Sequence, residues 1–127
     1  MAATRETTAA NVKPLETALT RKVQLGATTE AGEVITLQSD GKWDPTDTST
    51  AQLTARVALQ GGVDTDWVDS VFYGPVKNMT GATVGALIYG SDTAGELDET
   101  AGTKSLVVGY AESATVLFVR PQIVNFT

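Results

Sequence analysis

The chain has 127 residues, 42% of them hydrophobic and only 6% aromatic, and a formal net charge of −6. That length accommodates one domain around one core, and the acidic balance disfavours direct nucleic-acid binding because the average surface field repels polyanions. With no histidine and no cysteine in the chain, Ser-His-Asp and Cys-His catalysis, disulfides and thiolate metal sites are excluded, a composition compatible with assembly in a reducing cytoplasm.

The opening segment, MAATRETTAANV, is polar and aperiodic. Such a stretch buries too little apolar area to offset its ordering entropy. It reads as a flexible arm, giving an N-terminal arm over 1–19 and a β-rich domain over 20–127. Arg5, Glu6, Lys13 and Glu16 interrupt any apolar run there, so the segment does not read as a secretory signal. No part of the chain approaches the roughly 20 apolar residues of a membrane span. Pro14 with Leu15 and Leu19 has the spacing of one short helical turn.

Strand patterns begin near Thr20, where Val23 and Leu25 alternate with Lys22 and Gln24. Glu33 to Leu37 continues them, Asp40-Gly41 supplies a hairpin turn before Trp43, and Asp44 to Thr50 is loop chemistry. From Leu53 to Gln60 a strict period of two puts Leu53, Ala55, Val57 and Leu59 on one face, with Thr54, Arg56, Ala58 and Gln60 on the other. A further strand runs from Trp67 to Val76, broken by Gly74-Pro75 as an edge or a bulge. Three more follow at 84–89, 106–111 and 115–119, separated by the turns SDTAGE and ETAGTKS. Pro121 ends the last of them and leaves Gln122 to Phe126 as an apolar tail available to a neighbour. The expected fold is all-β, a small single-domain barrel or sandwich with a flexible N-terminal arm.

The chain also resembles itself. AGEVITL, SDGKWDPT and LTARVAL run parallel to VGALIYG, SDTAGELDET and SLVVGYA, with Gly32 and Gly85, and Ile35 and Ile88, each 53 residues apart. One gap then sets Trp43-Asp44 on Leu97-Asp98 and Thr46 on Thr100. Either two hairpins of similar length merely look alike, or a pseudo-symmetric pair of strand-turn-strand units builds the barrel.

Residues able to carry chemistry are few. Glu96, Asp98 and Glu99 would serve a two-carboxylate hydrolase, but they sit in a Gly/Thr-rich turn and read as solvated turn-formers. Asp64, Thr65, Asp66 and Asp69 offer oxygen ligands without the spacing of a calcium loop. Glycines 81, 85, 90, 95, 102 and 109 make no phosphate-binding fingerprint. Lys77 resembles the modified lysine of biotinyl and lipoyl carrier domains, yet lacks their flanking acidic residue and reads as an ordinary exposed lysine. Trp43, Trp67, Tyr73, Tyr89 and Tyr110 share no register that would make a sugar-stacking platform, which leaves core packing or an interface. No catalytic, cofactor-binding or metal residue is therefore assigned.

The order of glycine-spaced strands from Thr80 to Pro121, with AGEVITL, the DGKW turn and ARVALQGG upstream, resembles small head decoration, or cement, proteins of tailed bacteriophages. The likeness covers about residues 25–121 and carries no transferable site residue. It implies a β-rich structural protein, not an enzyme, made in the host cytoplasm and bound to the virion's capsid exterior. Such a protein holds neighbouring major capsid protein subunits together, often as a homotrimer, with no cofactor, nucleic acid or membrane as partner. The alternative class is a carbohydrate- or receptor-binding β module of a tail fibre or extracellular protein, which clustered exposed aromatics would favour.

Overall fold

Val, Leu, Ile and Ala supply most of the apolar side chains in this sequence, and such β-branched and small residues suit pleated, half-buried surfaces. In the computed structural model, which describes residues 3–50, 52 and 54–125, they form twelve strands among the described residues. These are β1 (Thr4–Arg5), β2 (Lys13–Pro14), β3 (Leu19–Gln24), β4 (Val34–Leu37), β5 (Trp43–Pro45), β6 (Arg56–Ala58), β7 (Trp67–Lys77), β8 (Met79–Thr80), β9 (Leu87–Gly90), β10 (Leu97–Asp98), β11 (Ser105–Ala111) and β12 (Val116–Asn125). A 3-10 turn at Ala9–Asn11 lies between β1 and β2. The chain is thus all-β, as its pattern predicts, and its ten-stranded sheet curls into a half-barrel.

Strand order along the curl is β10-β9-β11-β12-β7-β6-β4-β5, with β2 and β3 added to β7 and a separate β1-β8 pair. Every pairing between named strands is antiparallel. β7 exchanges partners midway: residues up to Tyr73 pair with β3 and β6, and residues from Gly74 pair with β12 and β2. Gly74 makes this possible at φ 111, where a Cβ would stand 2.8 Å from Ala18 Cα. Gly74-Pro75 accordingly lies inside a central strand, in continuous register with Val119 and Phe118, and not at the end of an edge strand; the irregularity of β7 falls at Phe72, between the Leu19↔Tyr73 and Thr20↔Val71 pairs.

The internal repeat is real at the level of hydrogen-bond register. β4 meets β6 at Val34↔Val57 and Ile35↔Arg56, and β9 meets β11 at Leu87↔Tyr110 and Ile88↔Gly109, the same pairs 53 residues later. Gly32 and Gly85, at φ 89 and φ 84, open the two units by donating to Ala58 and Ala111 carbonyls at 2.7 and 2.8 Å. The hairpins β4-β5 and β9-β10 match as well, with Leu37↔Trp43 corresponding to Gly90↔Leu97. Two four-stranded units, β4 to β7 and β9 to β12, therefore join through the antiparallel β7·β12 pair, which relates them by an approximate two-fold axis.

Two apolar clusters lie on opposite faces of the sheet, because successive strand residues point to opposite sides. The larger, inside the curl, holds Val34, Val57, Val71, Val76, Ile88, Leu117 and Val119 among others. The smaller holds Val23, Leu25, Ile35, Trp43, Ala58 and Val68. Ala55 and Val57 take the buried face expected of them, while Leu53 lies outside the described residues. The opposite face of β6 is not a solvent face, however. Ala58 is fully buried there and the Arg56 guanidinium stacks 4.6 Å from the Trp43 ring centroid, because β6 is an interior strand covered on both sides.

Both chain ends differ from expectation. Residues 3–12 are not a loose arm: β1 pairs with β8, and Arg5, only 8% exposed, reaches Glu96 through Nε at 2.8 Å and Glu30 through Nη2 at 3.1 Å. Its Nη1 also donates to the carbonyls of Ala31 and Glu6. Ala3 and Val12 are buried beside it. The Pro14 to Leu19 segment is a turn with Thr17 at φ 76, not a helical turn, and Leu15 and Leu19 face solvent. At the other end β12 continues through Pro121 to Asn125 along β11. Arg120 and Pro121 together oppose the single residue Val108, so the proline's missing N–H falls in a bulge. The tail is consequently paired within its own chain, and Phe126 lies outside the described residues.

Two substitutions check this packing. Val57→Asp buries an unpaired charge in the larger cluster, and no folded species is expected by circular dichroism. Arg5→Ala leaves the fold recognisable but lowers stability by about 2–3 kcal/mol in urea titration, the scale of lost hydrogen bonds to a buried charge; an unchanged midpoint would mean that the segment is only loosely held.

Candidate functional site

The carboxylates that a hydrolase would need are occupied in building loops. Glu96 pairs with Arg5, and Asp98 accepts the Thr100 amide at 3.1 Å. Glu99 accepts the Thr83 amide at 2.9 Å, a bond that holds its pKa below the usual carboxylate range. The oxygen-rich 64–69 stretch is likewise spent locally, with Asp64 paired to Lys42, Asp69 to Lys22, and Asp66 accepting the Val63 amide. Among the described residues no three His, Cys, Asp or Glu side chains converge to hold a metal ion. Lys77 lies in register with Lys13 and Val116 within the sheet, half-buried, and not at a hairpin tip. No helix among the described residues is long and apolar enough to cross a membrane.

What the fold does bring together is aromatic. Leu19 stands opposite Tyr73, Tyr73 meets Phe118 edge-on at 5.3 Å, Phe118 stacks on Tyr110 at 5.2 Å, and Tyr110 stands opposite Leu87. One row thus crosses five strands, β3, β7, β12, β11 and β9, on the side of the sheet facing away from the larger cluster. Phe118 is placed there by alternation, since its neighbours Leu117 and Val119 are both fully buried in that cluster. Leu19, Tyr73 and Leu87 are 50%, 45% and 49% exposed. Tyr73 and Tyr110 come from the residues singled out in the sequence, whereas Phe118, which joins them, and the flanking leucines do not. Their alignment depends on the β7·β12 and β11·β12 registers, which no local pattern specifies.

The other aromatics separate from this row. Trp43 is buried in the smaller cluster, Tyr89 is half-buried in β9, and Trp67 is 62% exposed at the mouth of a second surface feature. That feature is a cavity of about 240 Å³ against β3, lined by Arg21, Lys22, Trp43, Arg56 and Trp67 among others.

No protein-family model matches the chain, and no curated protein matches it.

Asp92 shows how far acidic side chains here act as loop fasteners. It accepts hydrogen bonds from Thr103 Oγ1 at 2.6 Å, the Thr103 amide at 3.0 Å and Thr48 Oγ1 at 2.9 Å, which pull its pKa below the ordinary aspartate value. A folded value below the unfolded one adds stability that is present above the unfolded pKa and lost as pH falls through the folded pKa. Asp92→Asn should therefore flatten the acid limb of stability against pH, below about pH 4, where an aspartate titrates. Urea midpoints measured through that range check it, and a limb as steep as in the parent chain contradicts it.

Proposed function

We infer that the chain is a structural decoration protein, bound to the outside of a bacteriophage capsid, that stabilises contacts between major capsid protein subunits. The observation that carries this reading is the row of exposed Leu19, Tyr73 and Leu87 and half-buried Phe118 and Tyr110 on a stiff, acidic β body. Aromatic and aliphatic anchors on rigid strands give binding energy with little ordering cost. The glycine-spaced strand order that resembles phage cement proteins supports the same conclusion. In this reading the protein is not an enzyme, functions on the virion exterior after synthesis in the host cytoplasm, and assembles as a trimer. Its acidic surface limits adhesion to the packaged nucleic acid.

Attachment in this reading is by the sheet face and not by free ends adding strands to a neighbour. β1, β2 and β12 already spend their hydrogen bonds on β8, β7 and β11. Loss of the first residues would remove Arg5 and weaken the body itself.

The aromatic row also gives the carbohydrate-binding reading a specific footing, since Tyr73, Phe118 and Tyr110 present ring faces and edges of the kind that pack on pyranose rings. One titration separates the two. Purified chain should bind undecorated, expanded capsids saturably and raise their thermal resistance, and the double variant Tyr73→Ser, Leu87→Ser should bind at least about tenfold more weakly, the scale of a lost hot spot. Absence of saturable binding, together with binding of the parent chain to a glycan array, would overturn the capsid reading in favour of the sugar-binding one.

A further inference from the structure

The cavity against β3 has a composition out of keeping with the chain that contains it. In a protein of net charge −6, its lining holds three cations, Arg21, Lys22 and Arg56, and no carboxylate. Lys22 is neutralised by Asp69 at 3.2 Å. Arg56 has no ion-pair partner among the described residues: its guanidinium lies over Trp43, 4.6 Å from the ring centroid, and over Phe72, at 5.3 Å, and its buried Nη1 finds no hydrogen-bond partner among them. Contact with ring faces replaces part of the lost hydration of a cation, but it leaves an N–H donor unsatisfied, which is costly for a charged group. Burial, and secondarily the charge of Arg21, push the Arg56 pKa down. Two like charges lining a concave surface that holds no carboxylate make an arrangement that an anion completes.

We propose that this cavity is a binding site for a carboxylate group, gripped by Arg56 and Arg21 with its short apolar stem between Trp43 and Trp67. A guanidinium presents paired N–H donors whose spacing matches the two oxygens of a carboxylate, and Arg56 packs against two aromatic rings. About 240 Å³ admits an acidic side chain or a small organic acid and little more. The flat indole walls suit a planar carboxylate on methylene groups. The same chemistry is offered by a glutamate of a partner protein and by a free dicarboxylate, and the inference stands on the cavity alone, independently of the capsid reading.

Both tryptophans of the chain line this cavity, so intrinsic fluorescence reports on it. The probes are acetyl-Gly-Glu-Gly-amide, its glutamine counterpart, glutarate and inorganic phosphate, each titrated at low ionic strength. A saturable change is expected with the glutamyl peptide or glutarate and not with the glutamine peptide, and whichever of the two acids binds more tightly identifies the source. Arg56→Gln and Arg21→Gln should each weaken binding at least about tenfold, and Arg56→Lys, which keeps the charge but loses the fork, should also bind more weakly than the parent. Amide correlation spectra verify that each variant is folded. Should Arg56→Gln fail to fold, Arg21→Gln decides, because Arg21 is exposed. No saturable response to either acid, an equal response to the glutamine peptide, a response to phosphate in place of the acids, or undiminished binding by the folded variants would overturn the proposal.

Discussion

The curl of the sheet is the constraint on which the other features depend. The described residues of its enclosed cluster are all Ala, Val, Leu, Ile and Met, and side chains of that size fill a narrow space, so the sheet bends until its two terminal hairpins touch. Backbone bonds then join them: Gly95 donates to the Thr46 carbonyl at 2.8 Å, Val34 to Gly95 at 3.0 Å, and Thr48 to Ser91 at 3.0 Å. Arg5 completes the junction, since its guanidinium holds Glu30 and the Ala31 carbonyl of the first unit and Glu96 of the second. A buried cation satisfied from several sides is stable where one with a missing partner is not. The N-terminal segment is thereby a strap across the two repeats.

Closure around small residues has a consequence for the surface. None of the described aromatic side chains belongs to the enclosed cluster. Tyr73, Phe118 and Tyr110 form the outward row, while Trp43 and Phe72 hold Arg56 on the other apolar cluster's side. The described aromatics instead lie outside the curl, Trp43 buried in the smaller cluster and Tyr73 and Trp67 exposed. Two distinct surfaces result, one apolar and broad, the other cationic and concave.

Local chemistry made much of this architecture legible. Gly41 in the Asp40-Gly41 turn has φ 84, and the strand expected from Trp67 to Val76 runs from Trp67 to Lys77. The 53-residue likeness reappears as matching hydrogen bonds because each repeat specifies its hairpin through nearby glycines and alternation. What escaped depends on contacts distant along the chain. Arg5 reads as an arm residue because Glu30 and Glu96, which bury it, are 25 and 91 residues away. Pro121 reads as a terminator because the bulge that accommodates it is defined by β11. Arg56 reads as a solvent-facing strand residue, since nothing near it in the chain announces that Trp43 and Phe72 will cover it. The aromatic row was the hardest to see, being assembled from registers across five strands.

The most direct test of the strap is native-state amide exchange on the isolated monomer. The Glu6 amide, bonded to the Asn78 carbonyl at 2.8 Å, and the Val12 amide, bonded to Ala9 at 3.1 Å, report on residues that the sequence alone would leave mobile. If Arg5 closes the two repeats, Glu6 should exchange with protection approaching that of core strands such as β7 and β11, and Arg5→Ala should remove that protection while β7 stays slow. Exchange of Glu6 at the rate of an unstructured peptide in the parent chain would contradict the account.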